Sequence, residues 1–235
     1  MNKPQTKILR SQNVQTMIFW AVLFAGILLS LTGQALAQDV VWDGNTVQLE
    51  AEEIAPGVYA VVPQDAAQKN PQGLPVATSG GFIVGERGVL VVDSMINGRL
   101  ATQLIGLIRQ VTPKPIRYVV NTSYHGDHSY GNYVFPETAA IVQHPETQRY
   151  IAEKFDHDRA FMMQNFGKGR GIEDVIARDA DLLVDESLTI DLGGLEVKIL
   201  HLGFAQTEGD LFVWLPSRKV LFTGNPFIAE QPALP

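Results

Sequence analysis

The pattern of apolar residues predicts an α+β domain built in layers, in which pairs of β-strands are interleaved with helices. Three observations carry this prediction. Short β-rich runs flank turns that contain Gly or Pro, which is typical of β-hairpins. Residues 100–111 have apolar side chains at helical spacing. Residues 89–92 are apolar on consecutive positions, which indicates a strand that is buried on both faces.

The first half of the domain is predicted to contain a strand pair, a hairpin, a helix and one further strand. The predicted strands are 49–54, 58–62, 81–84, 89–92 and 116–120. Residues 64–79 are polar and rich in Ala, Pro and Gly, so we expect a loop there. The predicted helix at 100–111 ends before Pro113 and Pro115, which cannot continue it.

The second half is predicted to contain a short strand, a helix and two hairpins. The predicted strands are 139–142, 188–190, 195–200, 210–215 and 220–222. The helix at 145–166 begins with Pro145 in its first turn and closes at Gly167. The chain ends at Pro235 in a proline-rich stretch, from which we expect that a C-terminal part of the domain is missing.

The N-terminus has the features of an export signal, which is assigned to residues 1–37 and leaves a mature domain at 38–235. Basic residues precede an apolar run at 18–31, and Ala35-Leu36-Ala37 forms a small-x-small cleavage site. The alternative is an uncleaved membrane anchor. The apolar run is shorter than the roughly 18–20 residues that span a bilayer comfortably. We therefore expect a periplasmic or secreted protein without a stable membrane anchor.

Composition excludes several classes of function. The net charge is −7 and the chain has no long basic run, so nucleic acid is not expected as a partner. The absence of cysteine excludes thiolate zinc sites, disulfides and cysteine nucleophiles. The chain also lacks the glycine-rich nucleotide-binding motifs and the nucleophile elbow of serine hydrolases. The expected partner is a small-molecule substrate, and no feature predicts an oligomeric state.

The loop after the strand at 116–120 contains His125, Asp127 and His128 within four positions. Imidazole and carboxylate groups hold catalytic zinc, and a loop at the end of a buried strand is a rigid place to present them. The alternative is that both histidines are loop residues satisfied by backbone groups. Asp127 is a candidate ligand and general base, and a candidate helix N-cap as well.

Several segments resemble, in the same order, those of the metallo-β-lactamase superfamily. The loop at 121–128 resembles the family's His-x-His-x-Asp-His motif. Four further segments match: Ala55-Pro56-Gly57-Val58-Tyr59, Val91-Val92-Asp93, residues 203–210 and residues 220–225. This resemblance implies a four-layer αββα sandwich that is incomplete at the C-terminus. It also implies a hydrolase in which metal-activated water attacks an ester, a lactam or a related bond, with one or two zinc ions as cofactor.

The resemblance also places the family's metal ligands on this sequence. The three-histidine site falls on Ser123, His125 and Gln206. The other site falls on Asp127, His128, Asn225 and a position beyond the end of the chain. Ser123, Gln206 and Asn225 are neutral where the family has strong ligands, so we expect weak zinc binding. Metal is assigned to His125, Asp127 and His128, and the catalytic role to Asp127.

Two further residues are candidates for the same pocket. Tyr124 is expected to line the pocket. The alternative is that Tyr124 is an aromatic residue that only packs against its neighbours. Asp93 is expected to support a ligand or a turn rather than to bind metal itself. The pocket then has two possible functions. It belongs either to an exported hydrolase with a degenerate metal site or to a metal-poor pseudoenzyme that binds a periplasmic ligand.

Overall fold

The computed structural model describes residues 47–64, 79–165 and 171–227. Eleven strands lie in this part of the chain: β1 Leu49–Ala55, β2 Val58–Pro63, β3 Gly80–Val84, β4 Val89–Val92, β5 Ile116–Val120, β6 Ala140–Gln143, β7 Leu182–Leu183, β8 Ser187–Asp191, β9 Glu196–His201, β10 Leu211–Leu215 and β11 Val220–Phe222. The helices are α1 Gly98–Val111, α2 Gly126–Ser129 and α3 Pro145–Asn165, with a 3-10 turn at Asn132–Val134.

The first seven strands form one mixed sheet in the order β1-β2-β3-β4-β5-β6-β7. Strands β1 to β4 are antiparallel neighbours, whereas β4 to β7 run parallel. The register places Val119 between Val91 and Ile141 on the neighbouring strands. Because β4, β5 and β6 are parallel, the loops that follow them emerge at the same edge of the sheet.

The second sheet is antiparallel, in the order β11-β10-β9-β8, and it packs on one face of the first. Buried side chains of both sheets share one core; they include Ile83, Leu90, Val120, Val197, Ile199, Leu211 and Val213. Strand β9 begins with an alternation in burial, as expected when one face is covered, whereas β10 is buried at four of its five residues. Sheet-on-sheet packing therefore fixes β10 and β11 relative to β4 and β5.

Helices cover the other face of the first sheet. The side chain of Asn97 caps α1 by accepting the N–H of Leu100 at 2.9 Å. Leu100, Leu104 and Ile108 are fully buried in a second core, together with residues of β4 and β5. No helix in the described ranges is long and apolar enough to cross a membrane.

The predicted α+β arrangement of mixed sheets with helices is confirmed, and most predicted elements lie within two residues of the observed bounds. Both sheets and all of the helices named above lie within the described residues. Two short elements were missed. Strand β7 has two residues at a sheet edge, and α2 has four polar or small residues, so neither has an apolar pattern to detect. The predicted loop at 64–79, apart from its ends, and residues 1–37 and 231–235 lie outside the described residues.

Candidate functional site

Apart from Gln206, which follows β9, the predicted site residues come from three chain segments that meet at one edge of the sheets. Asp93 follows β4, the loop that carries residues 121–128 follows β5, and Asn225 follows β11. The N–H of Leu211 in β10 donates to the carbonyl of Thr122 at 3.0 Å, which joins the second sheet to this loop. The two sheets together therefore position the site.

Asp93 is a buried carboxylate at the centre of the site. Its Oδ1 accepts the backbone N–H of Thr122 at 2.8 Å, and its Oδ2 accepts the Thr122 hydroxyl at 2.8 Å. The same Oδ2 lies 2.9 Å from Nδ1 of His128. Asp93 has a φ of 63°, a conformation that costs free energy in a non-glycine residue and that clusters at functional sites.

His128 is oriented by this carboxylate. A carboxylate only accepts hydrogen bonds, so Nδ1 of His128 carries a proton and Nε2 points away from Asp93. Nε2 is buried, has no hydrogen-bond partner among the described residues, and lies 3.6 Å from Oδ2 of Asp127. Buried polar atoms without a partner are rare in folded proteins. This orphaned nitrogen is the strongest sign of a binding function in the site.

The two carboxylates set the charge around His128. Burial lowers the pKa of His128, but the negative charges of Asp127 and Asp93, together with the hydrogen bond to Asp93 and the nearby polar side chain of Asn225, outweigh it and raise the pKa to about 10. Two carboxylates around one imidazole favour a cation between them. That cation is either a proton on Nε2 or a metal ion in its place.

Buried amide side chains hold the backbone of His128. Its carbonyl accepts the N–H of Ser94 at 2.9 Å and Nδ2 of Asn121 at 2.8 Å. Asn121 and Asn132 exchange two hydrogen bonds of 3.0 and 2.8 Å, and Nε2 of Gln143 donates to Asn121 at 2.7 Å. Sequence reasoning missed this network. The only signal was an Asn at each end of the loop.

The other half of the predicted site is arranged differently. Ser123 is buried, and its Oγ accepts the N–H of His125 at 3.4 Å. The His125 ring is half-buried, with Nδ1 at 3.3 Å from Nδ2 of Asn225. Burial lowers the pKa of His125, although the charge of Asp127 partly opposes this. Gln206 is exposed, and its backbone N–H donates to Asp210 at 2.6 Å.

Asn225 is held in place by the glycine before it. Gly224 has a φ of +59°, and a Cβ at this position would lie 2.4 Å from Oγ1 of Thr122. Only glycine permits both this conformation and this close approach. Because Thr122 is bonded to Asp93, the position of Asn225 is tied to the buried centre of the site.

Two stacked tyrosines stand beside His125. Tyr124 lies on Tyr150 of α3 with ring centroids 3.6 Å apart, and its ring meets the His125 ring at 81°. Burial and a hydrogen bond to Asp158 raise the pKa of Tyr150 to about 12. Both rings therefore stay neutral at physiological pH. Tyr150 was not predicted, since nothing in the helix sequence distinguishes it from a packing residue.

The described side chains do not assemble a complete metal site. Nowhere in the described ranges do three His, Cys, Asp or Glu side chains form a group that could hold an ion. His128 and Asp127 offer a nitrogen and an oxygen side by side, with Asp93 behind the imidazole as the supporting carboxylate. Ser123, His125 and Gln206 do not form a second centre. Asp127 lies in the first turn of α2 and is not its N-cap.

Comparisons with known proteins give a consistent result. The family model described as the metallo-beta-lactamase superfamily matches residues 73–230. The structure of a metallo-beta-lactamase from Pontibacter korlensis aligns with a TM-score of 0.56 and 19% identity, covering 75% of this chain and 71% of that one.

A second similar structure is the stereoselective inverting sec-alkylsulfatase Pisa1 from Pseudomonas sp., with a TM-score of 0.54 and 18% identity. The alignment covers 74% of this chain but only 30% of the sulfatase. A double mutant of that sulfatase aligns with a TM-score of 0.56 and 17% identity, over 77% of this chain and 31% of the mutant. At such identities the likeness concerns the fold.

Proposed function

The chain belongs to the metallo-β-lactamase superfamily, and from this premise we propose that it is a hydrolase whose site holds a single metal ion at Asp127 and His128. The observation that carries the proposal is the buried, unpartnered Nε2 of His128 beside the Asp127 carboxylate. Zinc is the expected ion because imidazole and carboxylate are among its usual ligands. With two such ligands in the described chain, the expected affinity is low.

The side chains of the site have separable roles in this proposal. A bound divalent ion would supply a water of lowered pKa and would polarise the substrate oxygen. Asp93 holds the His128 ring in one orientation, so that Nε2 already faces the site before a ligand binds. The Asp127 side chain is 30% exposed, so it can reach both the buried imidazole and solvent. It is therefore the group best placed to accept a proton from the attacking water.

The proposed substrate is a small molecule with an ester, a lactam or a related bond. The stacked rings of Tyr124 and Tyr150 offer an apolar wall for a group next to that bond. One similar structure is described as a sec-alkylsulfatase, so alkyl sulfates belong in the first substrate screen. Carboxylic esters and lactams complete the screen.

The first test is metal content by plasma mass spectrometry on the purified mature protein. We expect up to one equivalent of metal after loading, and hydrolysis that a chelator abolishes and added metal restores. The variants Asp127→Asn and His128→Gln should lose both. His157→Gln is the matched control, because His157 is exposed on α3. Metal retention that is equal in all four proteins would contradict the proposed site.

The second candidate function is a metal-poor binding protein that kept the pocket without the chemistry. The observation in its favour is that no group of three His, Cys, Asp or Glu side chains that could hold an ion forms in the described chain. The double variant Ser123→His/Gln206→His separates the candidates. If the variant binds zinc tightly and hydrolyses substrates that the native protein ignores, the native protein is the binding protein. If the native protein is already active, this reading fails.

We also propose that the protein is exported and cleaved after Ala37. The support is the sequence pattern of residues 1–37. N-terminal sequencing of protein recovered from its native location tests this directly. A first residue of Gln38 supports cleavage, and a retained apolar run would favour an anchored form.

A further inference from the structure

Asp158 of α3 lies beside the two stacked tyrosines and takes no part in the proposed metal site. The Tyr150 hydroxyl donates a hydrogen bond to the Asp158 carboxylate. The Tyr150 ring stacks on Tyr124 with a centroid distance of 3.6 Å and an interplanar angle of 13°. The Tyr124 ring in turn lies 4.8 Å from the His125 ring. A continuous row of contacts therefore leads from Asp158 to the candidate site.

The negative charge of Asp158 is not neutralised by a neighbouring cation. Among the described residues, no Lys or Arg forms an ion pair with it. Arg159 is engaged elsewhere, since its guanidinium lies 5.8 Å from the Phe155 ring centroid and donates to the carbonyl of Glu173 at 2.9 Å. A carboxylate has about four lone-pair sites, so the hydrogen bond from Tyr150 leaves Asp158 able to accept from a ligand.

Other carboxylates give this side of the site the same sign of charge. Burial raises the pKa of the Tyr124 hydroxyl most, and the charges of Asp158, Asp210 and Glu208 raise it further. Asp210 is buried and accepts backbone hydrogen bonds, and Glu208 lies 3.6 Å from the guanidinium of Arg149. Asp158 is therefore the acidic residue best placed to meet a ligand group beside the stacked rings.

Aromatic faces and a carboxylate together favour one class of ligand group. Tyr124 and Tyr150 are both half-buried, so part of their ring surface remains accessible. The face of an aromatic ring attracts cations, and quaternary ammonium groups are recognised in this way. A nearby carboxylate adds Coulombic attraction for a cation and repels an anion such as a sulfate.

We propose that Asp158 and the Tyr124–Tyr150 pair form a subsite for a quaternary ammonium group of the ligand. These three side chains are the ammonium subsite. With the proposed hydrolase function, the substrate is then an ester whose alcohol part carries the ammonium group. Hydrolysis adds one water across the ester bond and releases an acid and the cationic alcohol. Only the identity of the substrate rests on the proposed function; the subsite does not.

The test is the binding of choline and of 3,3-dimethylbutan-1-ol to the mature protein. The two probes have the same shape, but carbon replaces the ammonium nitrogen in the second, so that they differ in charge alone. Each is titrated into ¹⁵N-labelled protein and followed by amide chemical shifts. We expect choline to bind roughly 10-fold more tightly, with its largest shifts around the ammonium subsite. Added salt should reduce the preference, because salt screens partly exposed charges.

Substitutions separate the subsite from the overall charge of the protein. Asp158→Asn removes the charge and keeps an acceptor for the Tyr150 hydroxyl, so the preference for choline should fall to about 2-fold or less. Asp156→Asn is the matched control, because it removes the same charge from α3 at a side chain that is 92% exposed. It should retain the native preference. Tyr124→Leu removes the stack without a change of charge and should also weaken choline binding, which keeps the proposal testable if Asp158→Asn does not fold.

Three results would overturn the ammonium subsite. The first is equal affinity of the native protein for the two probes, and the second is the absence of measurable choline binding. The third is an equal loss of preference in Asp158→Asn and Asp156→Asn, because the attraction would then come from the net charge of the protein.

The substrate class has its own readout. Acetylcholine and 3,3-dimethylbutyl acetate are the corresponding pair of esters, and we expect kcat/KM to be roughly 10-fold higher for the cationic one. Asp158→Asn should remove this difference. Equal values for the two esters, or a preference for alkyl sulfates over both, would overturn the assigned substrate class. If the native protein hydrolyses no substrate at all, the proposed function fails, while the titrations still decide the subsite.

Discussion

The two halves of the candidate site differ in how their polar groups are satisfied. In one half, Asp93, Thr122 and His128 form a buried network, and Nε2 of His128, which lies near Asp127, has no hydrogen-bond partner among the described residues. In the other half, His125 is half-buried, Ser123 makes a single long contact to a backbone N–H, and Gln206 is exposed. The family's ligand types are present in the first half and mostly replaced in the second.

This difference shows how burial changes the free-energy cost of losing a polar partner. In the first half each group satisfies another, so the loss of one leaves a buried charge or donor without a partner, which is costly. Around the half-buried His125 and the exposed Gln206 water can replace a lost partner, so a change there costs the fold little. The first half should thus dominate stability, and the second half should dominate what the site can bind.

The largest effect is expected from removing the central carboxylate. Asp93→Ala removes the acceptor of the Thr122 N–H and the carboxylate beside Nδ1 of His128, which keeps only the Thr122 hydroxyl at 3.1 Å. Breaking a buried charge pair costs about 3–5 kcal/mol, and urea unfolding should show a loss in that range. The control is Asp191→Ala, which removes an exposed carboxylate that pairs with Arg87. A similar change in both variants would mean that the network around Asp93 does not stabilise the fold.

The next largest loss of stability is expected at Gly224, which connects the two halves of the site. Gly224→Ala adds a Cβ that would lie 2.4 Å from Thr122 and forces a non-glycine residue to a φ of +59°. Positive φ costs roughly 1–2 kcal/mol and overpacking typically 1–3, so we expect a loss of about 2–4 kcal/mol in unfolding free energy. Gly106→Ala is the control, because that position in α1 has nothing within 4 Å and Ala favours a helix.

A smaller effect is expected from the amide network. Asn121→Ala removes the donor to the His128 carbonyl and the two bonds shared with Asn132. Because Ser94 still donates to the same carbonyl, we expect a loss of about 1–3 kcal/mol. A double-mutant cycle of Asn121→Ala and Asn132→Ala should give a coupling energy of at least about 0.5 kcal/mol, since the two residues are in contact. Strictly additive losses would contradict the reciprocal pair.

Sequence patterns predicted the parts of this site whose residues are neighbours in the chain. The strand at 116–120 and the residues His125, Asp127 and His128 are close together in the chain, so their proximity needs no long-range information. The fold followed from periodicity and from the order of the motifs. The bonds of Asp93 to residues 29 and 35 positions away depend on strand register, which periodicity does not fix.

Other features depend on side-chain orientation, which the sequence patterns do not determine. The contact of Asn225 with His125 spans 100 positions and is set by the packing of the two sheets. The stacking of Tyr124 on Tyr150 requires the angle between α3 and the loop after β5. His144 lies just before α3 but is only 4% exposed, which its place next to Pro145 in the sequence does not predict.

The smallest effect tests a buried histidine whose neighbouring carboxylates do not outweigh the effect of burial on its pKa. His128 and His144 are both buried, but the pKa of His128 is raised and that of His144 is lowered. Burial is the largest cause for His144, followed by the neighbouring His201, whose ring centroid is 4.1 Å away. The carboxylates of Asp185, at 3.8 Å, and Glu146 oppose the shift without reversing it. Nδ1 of His144 also accepts the N–H of Glu146 in the first turn of α3, a bond that protonation abolishes.

The folded protein therefore binds a proton at His144 less readily than the unfolded chain, whose histidine pKa is about 6.5. The contribution of His144 to stability is present above that pH and is lost as the pH falls through the lower folded-state pKa. In His144→Asn the amide oxygen still caps the helix but does not titrate, so its stability should decline less between about pH 6.5 and 5 than that of the native protein. Urea unfolding across this range measures the difference, and His157→Gln should retain the native profile because His157 is exposed. If His144→Asn declines as steeply as the native protein, titration of the buried His144 does not weaken the fold in acid. The burial of an imidazole would then not explain why His128 needs carboxylates beside it.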